Sequence, residues 1–521
     1  MNDFTSSTPV EPIPRTRTVA VVDIGTAAIR IALADIDAQG RIHLLEKLNQ
    51  SVRLGQDVFT RGRIRRGTIE ECVRVMESFQ HVMREYRVAP DDVRAVASSA
   101  VQEAANREAL VDRVAMATGI EIEVIDDAEA TRLTYLSVLP FLRSKAQAPG
   151  NTVLMEVGGG RTEMISLEGE NIHASHVFRL GSMRLRNLLE QQRTPQTQIR
   201  DVLEQEVANT LHQLREDFNR ADQQMVVLGG DARFAAMHKN PEWDRASPQK
   251  ISIRDWRRIT DDVLALSVEQ CVETYHLTFA EAETLGPALF ATLRIAEKTG
   301  CKVLHVSGFT MRDGLLQEMS QREAWSPTYV RQVLDSAMQL GRKYELDEHH
   351  ATEVSGLSLQ LFDTLTREHH LGPRHRVLLE IAALLHEIGS FIAAPSHHKH
   401  SMYILANASI FGLGKRDSRI VANVARYHRR SPPKSTHPFY QALPRRDRIA
   451  VQQLAAILRV ADALARSRGR RIPKIICERR EDTFFIQVPD VDNLHLENSA
   501  LRIKGQMFEE VFGMNVILVK G

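Results

Sequence analysis

The sequence of 521 residues predicts an α/β protein: two successive α/β segments precede a helical region and a small α/β end piece. Each α/β segment opens with an apolar strand that ends at a carboxylate and a glycine turn, and a second apolar strand follows. Residues 18–34 read TVAVVDIGTAAIRIALA, and residues 153–164 read VLMEVGGGRTEM. Beyond Pro327 the strand signals fade and the apolar residues recur at helical spacing.

The triple-glycine turn at residues 158–160 is the most informative motif of the chain. Glycines let backbone N–H groups close on an anion without side-chain obstruction, and flanking carboxylates hold a metal or position a water. Three carboxylates flank the two turns, namely Asp23, Glu156 and Glu163. A tight hairpin with a polar tip is the alternative interpretation of three glycines after a strand. The repetition of the unit favours phosphate binding.

Two such hairpins at the starts of successive α/β segments resemble the actin, hexokinase and Hsp70 type of fold, which has ribonuclease H-like domains. In that fold the paired turns grip a phosphate chain between duplicated domains. We therefore predict a disordered tail (residues 1–16), actin-like domain I (17–145), actin-like domain II (146–325), an all-helical HD-like domain (326–470) and a small α/β C-terminal domain (471–521).

Charge and cysteine content limit the function classes. The 67 basic and 66 acidic residues leave a formal charge of +1, so nothing global indicates a nucleic-acid or membrane partner. No run is long and apolar enough to span a bilayer. The four cysteines show no C-x-x-C spacing, which favours a reduced cytoplasm over a disulfide framework or a zinc site. We expect a cytoplasmic protein.

Further segments keep a recognisable order along nearly the whole chain. They are SVRLG at 51–55, ASSAVQEAAN at 97–106, residues 121–136, FRLGSMRL at 178–185, VSGFTMRDGLL at 306–316 and HKHSMYILA at 398–406. Together with the two turns, they resemble the Ppx/GppA family, the exopolyphosphatases and guanosine pentaphosphate phosphohydrolases, in its long form. The resemblance implies release of terminal phosphate from polyphosphate, or conversion of pppGpp to ppGpp, with Mg²⁺ as cofactor. It also implies a homodimer.

The site residues can be assigned position by position. The predicted phosphate-binding residues are Asp23, Gly25, Thr26, Arg53, Gly158, Gly159, Gly160, Arg161, Thr162, Gly229, Gly230, Ser307 and Arg312. The predicted catalytic carboxylates are Glu129, Glu156 and Glu163, and Mg²⁺ is expected at Asp23, Glu156 and Glu163. Cutting a phosphoanhydride requires these parts, since a cation holds the phosphoryl group while a carboxylate orients the attacking water.

Five positions depart from the family pattern. Ala27 stands where the family has Asn, Gln102 where it has a phosphate-clamping Arg, Glu156 where it has Asp, Arg161 where it has Ser, and Ala130 where it has the catalytic Glu. Glu129 lies one residue before Ala130, a rotation of roughly 100° on a helix. Arg161 has two possible roles: it replaces the missing arginine from the other turn, or it neutralises Glu163 or Glu156.

These departures leave three functions open. The first is a working hydrolase in which Glu129 serves as the base after a one-residue shift of the helix start. The second is a catalytically degenerate pseudoenzyme that binds polyphosphate or a guanosine alarmone and signals by domain closure. The third places hydrolysis in the helical domain, as in HD-domain phosphohydrolases.

The helical region contains spaced elements that resemble an HD-type metal site. The candidate ligands are His350, His386, Glu387 and Asp462. The HD signature has Asp after the second His, whereas Glu387 stands here. Histidines that form hydrogen bonds between helices are the alternative interpretation.

The same region concentrates basic residues that can bind a long phosphate chain. They are His397, His398, Lys399, His400, Arg426, His428, Arg429, Arg430, Arg466, Arg468, Arg470 and Arg471. A solvated basic face is the alternative interpretation.

Overall fold

The computed structural model describes residues 16–143, 151–212, 218, 223–320, 327–408, 410–429, 431–467, 474–489 and 493–520. The predicted tail, apart from residue 16, and most of the connection between the two α/β segments lie outside these ranges. The chain divides into two compact units, Met1–Ala324 and Trp325–Gly521. Each unit is described by itself.

The first unit begins with a five-stranded sheet in the order β3-β2-β1-β4-β5. Its strands are β1 (Arg17–Ile24), β2 (Ala28–Ile36), β3 (Ile42–Ser51), β4 (Val93–Ala97) and β5 (Ile122–Val124), and its helices are α1 (Leu54–Arg61), α2 (Arg66–Glu85), α3 (Ser99–Glu103), α4 (Arg107–Thr118) and α5 (Asp127–Arg143). The pairs β1–β2 and β2–β3 are antiparallel, whereas β1–β4 and β4–β5 are parallel.

The second sheet has six strands in the order β10-β11-β9-β6-β7-β8. Its strands are β6 (Asn151–Val157), β7 (Thr162–Glu168), β8 (Asn171–Phe178), β9 (Gln224–Leu228), β10 (Gln249–Ser252) and β11 (Val303–Val306). Its helices are α6 (Ser182–Gln191), α7 (Ile199–Leu211), α8 (Gly230–Lys239), α9 (Ile253–Ala265), α10 (Val268–Tyr275), α11 (Phe279–Lys298) and α12 (Met311–Ser320). Two antiparallel pairs, β6–β7 and β7–β8, again adjoin parallel strands β9 and β11, so the sheet topology of the first segment is repeated.

Side chains alternate along β1, so this strand contributes to the hydrophobic core on both faces of its sheet. Ala20, Val22 and Ile24 point to the helices α1–α4, whereas Val19 and Val21 point to the opposite face. Helices α5 and α12 cover that second face through residues such as Leu133 and Leu315. Helix α12, although it follows the second sheet in sequence, therefore completes the core of the first.

The contact between α5 and α12 depends on Gly314. A Cβ atom at this position would lie 2.1 Å from the carbonyl oxygen of Leu133, a backbone atom that cannot turn aside. We expect Gly314→Ala to lower the free energy of unfolding by about 3 kcal/mol through overpacking. The matched control is Gly67→Ala in α2, where no atom lies within 4 Å of the added Cβ. Urea denaturation of both variants tests this, and equal stability would contradict the close packing.

The second unit is helical up to a small terminal sheet. Its helices are α13 (Pro327–Lys343), α14 (Glu348–Thr364), α15 (Thr366–His369), α16 (Pro373–Leu385), α17 (His397–Asn407), α18 (Lys415–Tyr427), α19 (Pro438–Gln441), α20 (Arg445–Leu464), α21 (His495–Lys504) and α22 (Gln506–Phe512). Strands β12 (Ile476–Arg480), β13 (Thr483–Val488) and β14 (Asn515–Lys520) form a three-stranded sheet. Helix α20 is buried along most of its length and packs against several of the others. In the described ranges of both units, no helix has the length and apolar content that crossing a bilayer requires.

Candidate active site

The first turn of the site joins β1 to β2. The Gly25 N–H donates to the carbonyl of Ala28 at 3.0 Å and closes the turn. In the antiparallel register Asp23 lies opposite Arg30, and the Arg30 Nη1 lies 3.7 Å from the Asp23 Oδ2. Residues opposite one another in such a pair project from the same face of the sheet. The turn therefore presents one carboxylate and one guanidinium together.

The second turn joins β6 to β7. The Gly158 N–H donates to the carbonyl of Arg161 at 2.8 Å. The register places Glu156 directly opposite Glu163, so two carboxylates share one face of the hairpin. Burial raises the pKa of Glu156, and it raises the pKa of Glu163 to about 7, which Arg161 only partly counteracts. The sequence showed both glutamates, and only the register shows that they oppose each other.

The two turns are in contact, and Thr26 lies between them. A Cβ on Gly159 would lie 2.8 Å from the Thr26 Cγ2, and a Cβ on Gly55 would lie 2.1 Å from the same atom. A Cβ on Gly181 would lie 2.4 Å from the carbonyl oxygen of Gly159. Only residues without a side chain allow this approach. The structure thus brings together the predicted residues Thr26 and Gly159.

Arg161 connects the second turn to the first segment. Its guanidinium forms an ion pair with Asp127, the first residue of α5, and donates to the Gln102 Oε1 at 3.2 Å. Its Nε lies 3.3 Å from the Glu163 Oε1. The contact with Glu163 is buried on both sides, whereas the Asp127 side chain is 46% exposed. One guanidinium therefore contacts three polar groups, which lie in helix α3, in strand β7 and at the start of α5.

Three further arginines surround Asp23 and Glu156. Arg312 is 9% exposed, and its Nε has no hydrogen-bond partner among the described residues. Burial lowers the pKa of Arg233 to about 10, although Glu156 counteracts this, and Arg30 and Arg312 contribute further positive charge. Since buried guanidinium groups near one another repel, this arrangement suits an anion.

Two comparisons with known proteins decide the family. A model described as Ppx/GppA phosphatase family matches residues 32–323, which is more than half of the chain, and a model described as Ppx/GppA phosphatase, domain III, matches residues 330–504. The chain belongs to the Ppx/GppA phosphatase family. This confirms the resemblance seen in the sequence.

Relatives of this Ppx/GppA chain carry the name guanosine-5'-triphosphate,3'-diphosphate pyrophosphatase. The protein from Photobacterium profundum is 20% identical over 491 residues, covering 91% of this chain and 88% of the relative. The protein from Aeromonas hydrophila is 22% identical over 491 residues, covering 93% and 95%.

Solved structures share the fold. A structure described as an exopolyphosphatase from Cytophaga hutchinsonii has a TM-score of 0.52 and 20% identity, covering 58% of this chain and 98% of that chain. A structure described as an exopolyphosphatase-like protein has a TM-score of 0.51 and 20% identity, also covering 58% and 98%. The actin-like ATPase fold predicted from the paired hairpins is confirmed by these neighbours.

Glu129 of this Ppx/GppA chain, the base that the one-residue shift predicts, is paired with arginines. Arg132 donates to both of its oxygens, at 2.8 and 2.7 Å, and the Arg94 Nη2 lies 3.4 Å from one of them. Arg94 and Arg132 also pair with Glu318 of α12, so Glu129 belongs to an ion-pair cluster between α5, β4 and α12. The Glu129 carboxylate is thus held by two guanidinium groups, and its role as the base stays a prediction.

Two further residues at the start of α5, Asp127 and Ala130, have different surroundings. Ala130 is fully buried in the apolar layer beside Leu133, so the helix phase points this position into the core. Asp127, two residues before Glu129, contacts the glycine turn through Arg161. Sequence reasoning overlooked Asp127; its place among the acidic residues at the start of α5 was the available signal.

The remaining predicted phosphate ligands differ in their surroundings. The Thr162 hydroxyl is buried and donates to the Leu180 carbonyl at 2.7 Å, so it supports the turn. Arg53 is exposed just before α1. Gly229 is in the left-handed region with φ 108°, and Gly230 begins α8. The Ser307 Oγ accepts from the Phe309 N–H at 3.2 Å.

Sequence reasoning also missed Arg233 and Asp231, which follow these glycines. Burial raises the pKa of Asp231 to about 7, and Arg233 counteracts part of this. The sequence did contain a signal for them. A glycine pair follows a strand there, and charged residues stand in the first turn of the helix that comes next.

The predicted HD-like residues of the second unit fall into two groups that share His386. The ligand atoms of His350, His386 and Glu387 lie within 4.8 Å of one another, and so do those of His386, His428 and Asp462. His428 had been assigned to the basic face, but it is buried, as are His397 and His398. This part of the basic-face prediction is wrong, because buried rings cannot bind a chain in solvent. Arg430, Arg468, Arg470 and Arg471 lie outside the described residues.

The raised pKa of Glu163 predicts a pH-dependent stability. Below pH 4.5 the carboxyl is neutral in both states; between pH 4.5 and about 7 only the unfolded chain ionises, so the folded state loses stability as the pH rises. We expect Glu163→Gln to become more stable than the wild type across this range, by about 3 kcal/mol at pH 8. Urea denaturation in EDTA at several pH values measures this. A difference that does not change with pH would contradict it.

Proposed function

We propose that this chain hydrolyses a terminal phosphoanhydride, releasing phosphate from polyphosphate or from guanosine pentaphosphate. The observation that carries the proposal is the contact of two glycine turns beside an opposed pair of buried carboxylates, Glu156 and Glu163. The names of the relatives support the same reaction class. The substrate lies where the turns meet.

The two glycine turns and the nearby arginines bind the phosphate groups. The residues Gly158, Gly159 and Gly160 allow backbone amides to approach phosphoryl oxygens, since no Cβ obstructs them. The guanidinium of Arg161 supplies positive charge from the second turn, and Arg312 does so from the start of α12 with an unpartnered Nε. Charge-assisted hydrogen bonds of this kind are shorter and stronger than neutral ones.

Glu163 is the base that orients and deprotonates the attacking water. Its Oε1 faces Arg161, whereas its Oε2 makes no hydrogen bond of good geometry among the described residues, although the nearby Thr134 hydroxyl lowers the Glu163 pKa slightly. A pKa of about 7 leaves the carboxylate both ionised in part and basic enough to accept a proton at neutral pH. Asp127 holds the Arg161 guanidinium in place rather than touching the water.

Asp23 and Glu156 fit a divalent cation. They offer oxygen donors, which Mg²⁺ prefers, and Asp23 contributes to the raised pKa of the buried Glu156, so the two like charges lie close together. When bound, Mg²⁺ neutralises charge on the phosphoryl oxygens. The sequence predicts Asp23, Glu156 and Glu163 as metal ligands. Because we assign Glu163, which lies beside Arg161, the role of base, we propose only Asp23 and Glu156 as ligands.

A second candidate is a phosphate-binding regulatory protein without turnover. The ion pairs of Glu129 and the burial of Ala130 favour it, because neither residue supplies the carboxylate expected of the family. Binding needs only the glycines and the arginines.

Phosphate release from long-chain polyphosphate and from guanosine pentaphosphate, each with Mg²⁺, distinguishes the two candidates. Hydrolysis predicts release above the rate without protein, and it predicts that EDTA abolishes release. Binding of either substrate with no release in Mg²⁺ would overturn the first candidate and leave the second.

A further inference from the structure

The second unit contains a buried group of three histidines and one aspartate that the proposed function does not use. His386 follows α16, His397 begins α17, His428 follows α18 and Asp462 lies in α20. Their exposed fractions are 1%, 6%, 1% and 6%. Burying four polar side chains costs free energy unless each finds a partner. Their partners therefore indicate what the group does.

Each histidine is oriented by the backbone of its own chain segment. The Nδ1 atoms lie 2.7 Å (His386 to Ala383), 3.1 Å (His397 to Ala394) and 2.6 Å (His428 to Ala425) from a carbonyl oxygen. A carbonyl oxygen only accepts, so Nδ1 carries the hydrogen in each ring. Arg429 lies 3.5 Å from the Nδ1 of His397, farther than the carbonyl. In a neutral ring this tautomer leaves the lone pair on Nε2.

The Nε2 atom of His428 lies between two sets of neighbours, His397 on one side and His386 with Asp462 on the other. The Nε2 of His397 lies 3.2 Å from the Nε2 of His428. The Nε2 of His386 has no hydrogen-bond partner among the described residues, and the ligand atoms of His386, His428 and Asp462 lie within 4.8 Å of one another. Two lone pairs that face each other repel unless a positive group lies between them.

Lys504 supplies positive charge at the edge of this group. Its ammonium forms an ion pair with Asp462, and only 15% of the Lys504 side chain is exposed. Although burial raises it, the surrounding cation and histidines hold the pKa of Asp462 below its usual range. The lysine comes from the end of α21. A cation that binds the histidines must share or displace this contact.

We propose that His386, His428 and Asp462 bind a divalent transition metal such as Zn²⁺, with His397 as the neighbouring ring beside His428 and Lys504 as the internal cation that the metal displaces from Asp462. Imidazole nitrogens with one carboxylate suit Zn²⁺, Fe²⁺ or Mn²⁺ better than Mg²⁺. A ring N–H donated to a backbone carbonyl is the usual support of a metal-binding histidine. This set shares two members with the predicted HD-like set.

The test uses the full-length protein, stripped with EDTA and titrated with Zn²⁺. We expect one ion per chain by elemental analysis and a rise in melting temperature. His428→Gln and Asp462→Asn should each weaken binding by about 100-fold or more. The matched control is His437→Gln, a histidine of the same unit that bonds to Tyr427. Glu156→Gln should leave the Zn²⁺ bound, which separates this site from the Mg²⁺ site of the first unit.

Lys504→Met provides the opposite change. Removing the competing ammonium should tighten Zn²⁺ binding by about tenfold or more. The absorption spectrum of the Co²⁺-loaded protein reports nitrogen ligation directly and should change in His428→Gln. Because the wild-type spectrum already tests for this ligation, the test does not depend on any one variant folding well. The proposal is overturned if the wild type and Lys504→Met both fail to bind Zn²⁺, or if His428→Gln and Asp462→Asn bind it as tightly as His437→Gln.

Discussion

Glu163→Gln lowers the turnover of phosphate release by about 10²- to 10⁴-fold, the contribution expected of a positioned general base. Glutamine keeps the shape of the side chain but accepts no proton at neutral pH. The variant should still bind substrate, because the turns and arginines remain. Steady-state kinetics with Mg²⁺ measure the loss, which should fall on kcat rather than KM. The same substitution is expected to stabilise the fold above pH 7, so inactivity cannot be ascribed to unfolding.

Glu129→Gln is the matched control for this prediction. It removes a charge from the same unit, but from the ion-pair cluster with Arg132 and Arg94 rather than from the turns. We expect it to lower stability and to leave kcat of the folded protein within the same order of magnitude. If Glu129→Gln lost turnover and Glu163→Gln kept it, the assignment of the base would be reversed.

Arg161→Ser lowers turnover by about 10²- to 10³-fold, the usual cost of removing one preorganised charge stabiliser. The resemblance to the Ppx/GppA pattern implies an arginine at position 102 and a serine at position 161, whereas this chain has Gln102 and Arg161. Since the Arg161 guanidinium lies 3.2 Å from the Gln102 Oε1, it reaches the place from which the family's arginine would act. If Arg161 replaces that arginine, the positive charge comes from the other turn; its second predicted role, neutralising Glu163, fits the 3.3 Å contact between them.

The double variant Arg161→Ser, Gln102→Arg tests this exchange. If the guanidinium is what matters, the double variant should recover much of the lost turnover while Gln102→Arg alone gains little. Phosphate-release rates for all three variants complete the cycle. A double variant as slow as Arg161→Ser would contradict the exchange and assign Arg161 the narrower role of neutralising Glu163.

The two glycine turns could be predicted from the sequence because the residues that form each turn are neighbours in the chain. Apolar alternation with a glycine turn specifies a hairpin, and the repeated unit specifies a duplicated fold, so Gly25 and residues 158–160 follow directly. Helix α12 could not be placed in this way. Its return to the first sheet depends on packing between segments about 290 residues apart in sequence, such as Val21 and Leu315.

The start of α5 shows why the sequence alone does not determine which of its carboxylates faces the glycine turn. The segment contains acidic residues within one helical turn, and which of them faces the glycines depends on the helix phase to within one residue. The structure begins α5 at Asp127, which directs that residue to Arg161 and Glu129 to Arg132. Sequence patterns locate helix ends less accurately than this.

The histidines of α17 were misinterpreted for a related reason. A run of His and Lys is typical of an exposed basic face, yet Ser396 adopts φ 61° before the helix and His397 and His398 are then buried. Composition does not reveal which side of a helix start faces the core.

Thr26 also has a kinetic meaning. Because its methyl group lies against Gly159 of the second segment, the two segments already meet at the proposed phosphate site. On the proposed function, we expect the two segments to separate before a phosphate chain enters. We therefore expect the rate of substrate entry to follow the frequency of this opening and to stay below the diffusion limit. We expect Thr26 to limit the rate of substrate binding, and the arginines to limit the rate of substrate release.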